Sequence, residues 1–176
     1  DVAVAMATGT YYLQCPSVVR VNLVGKKAKW ASAKDVILYI LQQLSVKGGV
    51  NKIIEYTGEG LKELSLTDRA TICNMGAEVG ATTSLFPYDD RMATYLKATG
   101  REEVAEMADS VAGDLRADAD IMIAPEKYYD RVIEIDLSRL EPYINGPFTP
   151  DAATPISEFA EKVLVNGYPR KMEVGL

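Results

Sequence analysis

The sequence has 176 residues, of which 48% are hydrophobic and 25% charged, a balance typical of one globular domain or slightly more and unlike disordered or collagen-like chains. It contains no histidine, which excludes a Ser-His-Asp triad, a histidine general base and a histidine zinc site within this chain. The formal net charge of -6 disfavours general nucleic-acid binding, and two cysteines, Cys15 and Cys73, are too few for a disulfide framework and indicate a reducing compartment.

The first third of the chain predicts strand, helix and strand in that order. Alternating apolar residues over 18–24 predict a strand. Ser32 and Asp35 resemble a capping box, and apolar residues recur after them at helical spacing until the glycines at 48–49. A short strand is predicted over 53–56.

The next segment predicts a second helix, from 67 to 80, built mainly from small and apolar residues. Thr67 or Asp68 is expected to be its N-cap, and Gly80 stands at the position typical of a helix C-terminus. Because of this composition, we expect the helix to be buried. Residues 81–86 predict a short strand or extended segment that the following proline stops.

Two further helices are predicted after this strand. Asp89 or Asp90 is expected to cap the first, which breaks at a glycine. The second is acidic and begins at Glu102, and its apolar positions predict an inward face formed by Val104, Met107 and Val111.

The last third predicts a polar loop over 113–127, a strand over 132–135 and a proline-rich connecting segment over 142–155. This segment is the best candidate for a domain boundary, and a helix and a terminal strand at 173–176 are expected after it. Strands that alternate with helices indicate an α/β layered fold with a mainly parallel sheet. No apolar run reaches the roughly 20 residues that a membrane span needs.

The most informative stretch for chemistry is 71–84. Asn74 and Glu78 are four residues apart, so they are expected to project from one face of the helix. A Glu among small and apolar neighbours either finds a partner or changes its protonation equilibrium, which is a mark of functional carboxylates. The structural alternative is that Glu78 pairs with Arg69 or Arg91 and that Asn74 caps a neighbouring strand.

Other candidates for chemistry are weaker. The glycines at 48–49 and at 58–60 match neither a dinucleotide fingerprint nor a phosphate-binding loop, and they are interpreted as turns. Cys73 has no histidine to activate it and is interpreted as a packed thiol.

The run Asp68-Arg-Ala-Thr-Ile-Cys-Asn-Met-Gly-Ala-Glu-Val-Gly-Ala-Thr-Thr-Ser84 resembles the signature of the aconitase family, and Phe86-Pro-Tyr88 continues it. Further matches lie at 33–38, 46–49, 54–58 and 144–151. Large subunits of isopropylmalate isomerase share the α/β framework and some of these sequence motifs. The Asn-Met-Gly-Ala-Glu-x-Gly-Ala-Thr-Thr-Ser motif, however, is more similar to aconitase.

The resemblance implies a hydro-lyase that interconverts citrate and isocitrate through cis-aconitate at a 4Fe-4S cluster. It implies that Asn74 is a cofactor-binding residue beside the cluster and that Glu78 is a catalytic residue that handles the proton. No residue of this chain is expected to ligate metal. The cluster cysteines, the histidines and the substrate-binding arginines of the family are expected outside this sequence, so this segment alone is expected to lack the cluster and to be inactive.

By the same resemblance, residues 1–16 are the tail of a preceding domain, 17–139 are the second domain of a four-domain enzyme, a three-layer αβα unit, and 140–176 are a linker and the start of the next domain. Expected partners are the remaining aconitase domains and a tricarboxylic acid substrate, with neither membrane nor nucleic acid. The expected compartment is the cytoplasm or, in a eukaryote, the mitochondrial matrix. The alternatives are a non-catalytic, stand-alone binding domain and a related hydro-lyase acting on homoaconitate, methylcitrate or isopropylmalate.

Overall fold

The computed structural model describes residues 2–171 and 173, and its centre is a four-stranded sheet. Every neighbouring pair of strands in this sheet is parallel, and the strand order is β3-β2-β1-β4. The prediction of an α/β fold with a mainly parallel sheet is therefore confirmed. The strands are β1 (Ser17–Val24), β2 (Lys52–Thr57), β3 (Thr83–Leu85) and β4 (Arg131–Asp136).

Helices fill the connections between these strands, and a small antiparallel pair of strands lies near the end of the chain. No helix in the described part of the chain has the length and apolar character that crossing a bilayer requires. Of the predicted terminal strand at 173–176, residues 174–176 lie outside the described residues. The α-helices are α1 (Val2–Thr8), α2 (Ala33–Leu44), α3 (Leu66–Asn74), α4 (Asp90–Ala98), α5 (Glu102–Ser110), α6 (Ala119–Ile123) and α7 (Ile156–Asn166); 3₁₀ turns cover Glu59–Glu63, Met75–Val79 and Pro125–Lys127; the small pair is β5 (Tyr143–Ile144) with β6 (Thr154–Pro155).

One face of the sheet carries the apolar core. Side chains alternate along a strand, so Val19, Val21 and Leu23 of β1 point to the same face, and all three are fully buried. They pack beneath α2 and α3, which follow β1 and β2 in the chain and contact each other. Burial of this face supplies the main hydrophobic stabilisation of the domain.

The opposite face of the sheet carries polar side chains around Arg20, and α6 lies against this part of it. Arg20 points to this face and is only 6% exposed; its Nε donates a hydrogen bond of 2.7 Å to Oγ1 of Thr57. Its Nη2 lies 3.5 Å from Sδ of Met122 in α6. The chain returns from β3 to β4 across this face, as the right-handed rule for parallel connections requires. Helices therefore cover both faces, and the three-layer prediction is confirmed.

Helix α2 begins as predicted and ends earlier than predicted. The carboxylate of Asp35 accepts the backbone N–H of Ser32 at 2.7 Å, as the capping-box pattern predicts. The helix was expected to continue to the glycines at 48–49, but it ends at Leu44 because Ser45 adopts a left-handed conformation with φ of 65°. The spacing of the apolar residues does not report the backbone conformation of this serine, so it could not predict where the helix ends.

The inward face predicted for α5 is wrong. Val104, Met107 and Val111 are 50%, 71% and 43% exposed, and Ala105 is the buried residue of the helix. Its carbonyl lies beside the hydroxyl of Tyr88, at 3.4 Å. A small residue faces inward because α5 packs closely on the segment that leads into α4. The predicted polar loop at 113–127 also differs, since it contains α6 and a 3₁₀ turn.

Residues 140–155, which include the predicted proline-rich segment, lie along α2 and are called the strap here. Oδ1 of Asp35, at the start of α2, accepts the backbone N–H of Tyr143 at 2.8 Å, and Asp35 is 6% exposed. The ring of Tyr143 makes an edge contact with Tyr39, with centroids 6.2 Å apart. Nearer the end of α2, Nε2 of Gln42 donates to the carbonyl of Ala153 at 3.2 Å. The domain boundary at 139/140 stays a prediction.

Candidate functional site

The segment that carries both predicted site residues consists of two different helical pieces. Ser65 and Asp68 form a reciprocal capping box, with N···O distances of 2.9 and 3.1 Å, so α3 begins at Leu66, before the predicted N-cap at Thr67 or Asp68. It ends at Asn74, and a tighter 3₁₀ turn follows until Gly80, whose φ is 74°. Residues 74–80 are called the site turn. They precede β3, so they lie at the edge where the parallel strands begin.

Asn74 and Glu78 lie on the exposed side of the site turn, so the expectation of a buried helix does not hold at these two positions. The buried positions of this segment are 69, 72, 76 and 79, spaced at three and four residues. This spacing forms one stripe, and residues 74 and 78 fall away from it. The small and apolar composition describes the stripe, while the two polar side chains face outward.

The structural alternative for Glu78 does not match the observed contacts. Arg69 is 2% exposed and pairs with the carboxylate of Asp89. Arg91 is exposed. Among the described residues, the side chains of Asn74 and Glu78 make neither a hydrogen bond nor an ion pair with another part of the chain. Both side chains are therefore accessible to a group that comes from outside this chain.

The backbone of the site turn is held from two sides. The N–H of Gly49 donates to the carbonyl of Val79 at 2.8 Å, and the N–H of Ala81 donates to the carbonyl of Gly76 at 3.1 Å. A Cβ on Gly76 would lie 2.8 Å from Oγ of Ser84 in β3, so the turn and the strand are in close contact. The predicted turn at 48–49 is confirmed, and it brings backbone directly against the site turn.

Gly49→Ala is expected to lower the free energy of unfolding by about 1–3 kcal/mol, because the added methyl would lie 2.6 Å from the carbonyl oxygen of Val79 and force the two backbones apart. Urea denaturation followed by circular dichroism measures the change. Gly113→Ala is the matched control, since a Cβ there meets nothing within 4 Å. Equal changes in the two variants would contradict the close approach at Gly49.

Behind the site turn lies a cluster of aromatic and cationic groups that the sequence interpretation missed. The rings of Tyr56 and Phe86 stack with centroids 4.3 Å apart, and the guanidinium of Arg69 lies 5.8 Å from the Phe86 ring. Burial raises the pKa of Tyr56 far above its ordinary value, so this phenol stays neutral. The available signal was Phe86 itself, an aromatic residue at the end of the predicted extended segment.

The two cysteines do not form a metal site. Cys73 is half-buried with Sγ 3.8 Å from the carbonyl of Ser84, and burial raises the pKa of its thiol, which disfavours the thiolate that binds metal. Cys15 is exposed. Within residues 2–171 and 173, no group of three or more His, Cys, Asp or Glu side chains is arranged to hold a metal ion. The described residues therefore present the accessible polar side chains of Asn74 and Glu78 but no set of ligands for a metal ion.

Comparison with known proteins gives consistent matches along the chain. The family described as Aconitase family (aconitate hydratase) matches residues 1–173. Mitochondrial aconitate hydratase of Gracilaria gracilis is 56% identical over 164 residues, which are 93% of this chain and 20% of that protein. The enzyme of the same name from Emericella nidulans is 53% identical over 176 residues, 100% of this chain and 22% of that protein. Mitochondrial homocitrate dehydratase of Saccharomyces cerevisiae is 52% identical over 178 aligned positions, which cover 99% of this chain and 22% of that protein.

Proposed function

This chain belongs to the aconitase family, and on that premise we propose that it forms one wall of the active site of an iron-sulfur hydro-lyase that interconverts citrate and isocitrate through cis-aconitate. The chain spans about a fifth of the length of the relatives it matches, so the activity is proposed for the longer protein. The observation that carries the proposal is the exposure of Asn74 and Glu78 on a turn whose backbone is fixed.

Glu78 is proposed to hold and move a proton at the substrate hydroxyl or its departing water. A carboxylate suits this task because it accepts a proton in one direction of a reversible hydration and donates it in the other. The site turn supports the role, since a group on a fixed backbone keeps its geometry when substrate arrives. Glu78 meets no competing partner in the described part of the chain.

Asn74 is proposed to donate a hydrogen bond from its amide toward the cofactor or the bound substrate. It precedes Glu78 in the same segment, and both side chains are exposed. An amide suits a site for a tricarboxylate because it donates hydrogen bonds without adding charge.

The cofactor of the proposed enzyme is a 4Fe-4S cluster whose iron acts, when the cluster is bound, as a Lewis acid on substrate oxygen. Cys15 and Cys73 are two thiols, too few for the thiolate ligands of such a cluster, and burial raises the pKa of the Cys73 thiol. The ligands are therefore assigned to parts of the protein outside this sequence. The other aconitase domains are the proposed partners. For a eukaryotic protein the mitochondrial matrix is the proposed compartment, and the names of the relatives, which are mitochondrial, support this.

A second candidate is a hydro-lyase that acts on a longer tricarboxylic acid. The specific observation is the homocitrate dehydratase relative, whose identity to this chain is nearly that of the aconitate hydratases, at 52% against 53%. The segment is equally compatible with both substrates. In this proposal, substrate choice depends on groups outside the chain.

The test compares the full-length protein with the chain of 176 residues. After anaerobic iron and sulfide analysis, cis-aconitate hydration is measured on both. We expect the full-length protein to contain the cluster and to hydrate cis-aconitate, and this chain to do neither. A chain that binds the cluster and turns over alone would overturn the segment proposal. A reconstituted full-length protein without activity on cis-aconitate or homoaconitate would overturn the hydro-lyase proposal.

A further inference from the structure

A carboxylate of the strap lies at the C-terminal end of α2. Oδ1 of Asp151 accepts the backbone N–H of Val46 at 2.6 Å, a contact between residues 105 positions apart. A hydrogen bond to a charged acceptor is stronger than one between neutral groups. Asp151 closes the run 144–151, which matched the family pattern but had no role in the sequence interpretation.

The strap is a fixed platform for this carboxylate. Its first part is held by Asp35 through the N–H of Tyr143, and its last part by Gln42 through the carbonyl of Ala153. Asp151 lies between these two anchors in sequence. The position of its carboxylate relative to α2 is therefore set by contacts on both sides.

Residues 45–51, called the α2 loop, receive this contact and need external support. Ser45 and Asn51, at its two ends, have φ of 65° and 57°, in the left-handed region that non-glycine residues rarely adopt. Such residues persist where the surrounding contacts fix the backbone. The bond from Val46 to Asp151 is one of these contacts.

The α2 loop in turn supports the site turn. The N–H of Gly49 donates to the carbonyl of Val79 at 2.8 Å. On the other side of the loop, the carbonyl of Val46 lies 3.0 Å from the place that a Cβ on Gly80 would occupy. Val79 and Gly80, which both contact the loop, directly follow Glu78 in the chain.

We propose that Asp151 is a positioning residue for Glu78: it fixes the α2 loop, which fixes the backbone of the site turn. The inference rests on the proposed function of Glu78. Because the Glu78 side chain has no partner among the described residues, the backbone of the turn is what sets its place. A small displacement of a catalytic group lowers the rate of the chemical step more than it weakens substrate binding.

The kinetic experiment uses the full-length, cluster-loaded enzyme. Asp151→Ala is expected to lower kcat for cis-aconitate hydration about tenfold, with KM unchanged within about twofold. Asp151→Asn is expected to recover most of this loss, because its amide oxygen still accepts the N–H of Val46. Glu161→Ala, which removes an exposed carboxylate from α7, is the matched control and is expected to behave as wild type.

Amide hydrogen exchange on the same proteins gives a readout independent of activity. In Asp151→Ala, the amides of Val46 and Gly49 are expected to exchange about tenfold faster. Val46 loses its acceptor, and the bond from Gly49 to Val79 opens more often once the α2 loop is released. Amides in β1 are expected to keep the wild-type rate. Unchanged exchange at Val46 and Gly49 would overturn the inference.

The combination with Glu78→Gln separates the two proposals. If Asp151 acts through Glu78, Asp151→Ala is expected to cause no further loss of kcat in the Glu78→Gln background. A Glu78→Gln enzyme with wild-type kcat would overturn the proposed function of Glu78. Two outcomes would overturn the positioning role of Asp151 and leave the role of Glu78 intact. In the first, Glu78→Gln lowers kcat but Asp151→Ala has wild-type kcat. In the second, each variant lowers kcat and the double variant shows the product of the two losses.

Discussion

Glu78→Gln in the full-length enzyme is expected to lower kcat for cis-aconitate hydration by roughly 10²- to 10⁴-fold, the range that a general acid-base group contributes. The amide has nearly the shape of the carboxylate but cannot exchange a proton, so KM is expected to change only a few-fold. Steady-state kinetics with cis-aconitate measures both constants. Because Glu78 is exposed, the substitution is expected to leave the stability of the fold nearly unchanged, so a folding defect would not explain such a loss of kcat.

Glu103→Gln is the control for this change, because Glu103 is also exposed and lies in the first turn of α5. We expect wild-type kinetics and wild-type iron content for it. The iron content of Glu78→Gln should also be normal, since Glu78 is not a proposed ligand. A Glu78→Gln enzyme that keeps its cluster and its kcat would contradict the catalytic role.

Asp89→Ala is expected to lower the free energy of unfolding by about 3–5 kcal/mol, because the buried guanidinium of Arg69 loses its carboxylate partner and keeps only the neutral carbonyl of Leu61 as a hydrogen-bond acceptor among the described residues. Two further guanidinium nitrogens of Arg69, Nε and Nη1, have no hydrogen-bond partner among the described residues, so the pair with Asp89 compensates most of this charge. Asp89 also caps α4 by accepting the N–H groups of Arg91 and Met92. Urea denaturation at neutral pH measures the loss.

The control breaks an ion pair of a different kind. Lys97→Ala removes the pair between Lys97 and Asp109, whose side chains are 51% and 48% exposed. Exposed pairs contribute about 0–1 kcal/mol. A loss in Asp89→Ala as small as the loss in Lys97→Ala would contradict the importance of the buried pair.

The effect of Asp89 also has a predicted pH dependence. Burial raises the pKa of this carboxyl, but the hydrogen bond and charge of Arg69 and the backbone N–H groups of α4 outweigh it, so the pKa lies below the ordinary value of 3.8. A group with a lowered folded-state pKa stabilises the protein above its unfolded-state pKa and loses that contribution as the pH falls through the folded-state value. The difference between wild type and Asp89→Ala should therefore shrink below about pH 4.

The regular elements could be predicted because their signals are local. The alternation in β1 and the pattern from Ser32 to Asp35 predicted a strand and a helix start that the structure confirms. The same Ser-x-x-Asp pattern recurs from Ser65 to Asp68, where Thr67 and Asp68 are equally plausible N-caps from sequence alone. Caps and alternation involve residues at most a few positions apart, which is why one sequence suffices to find them.

The candidate site was predicted as a set of residues but not as a geometry. The 3₁₀ turn after Asn74 is bonded to Gly49 through the carbonyl of Val79, a contact between residues 30 positions apart that no local pattern encodes. The contacts of the strap join Asp35 to Tyr143 and Val46 to Asp151, which are 108 and 105 positions apart. The usual rule for parallel sheets places ligands at the carboxyl ends of the strands. Here the site turn lies at the opposite edge.

The position of β1 in the sheet determines when the domain can fold during synthesis. The neighbours of β1 are β2, which follows soon, and β4, which begins more than a hundred residues later; Val18 and Asp130, which bond across this pair, are 112 positions apart. A ribosome adds roughly 5–20 residues per second, so one edge of β1 stays unpaired for several seconds. An open strand edge invites pairing with other chains. The nascent chain is therefore most exposed to aggregation between the synthesis of β1 and that of β4, which is the interval in which chaperones would protect it.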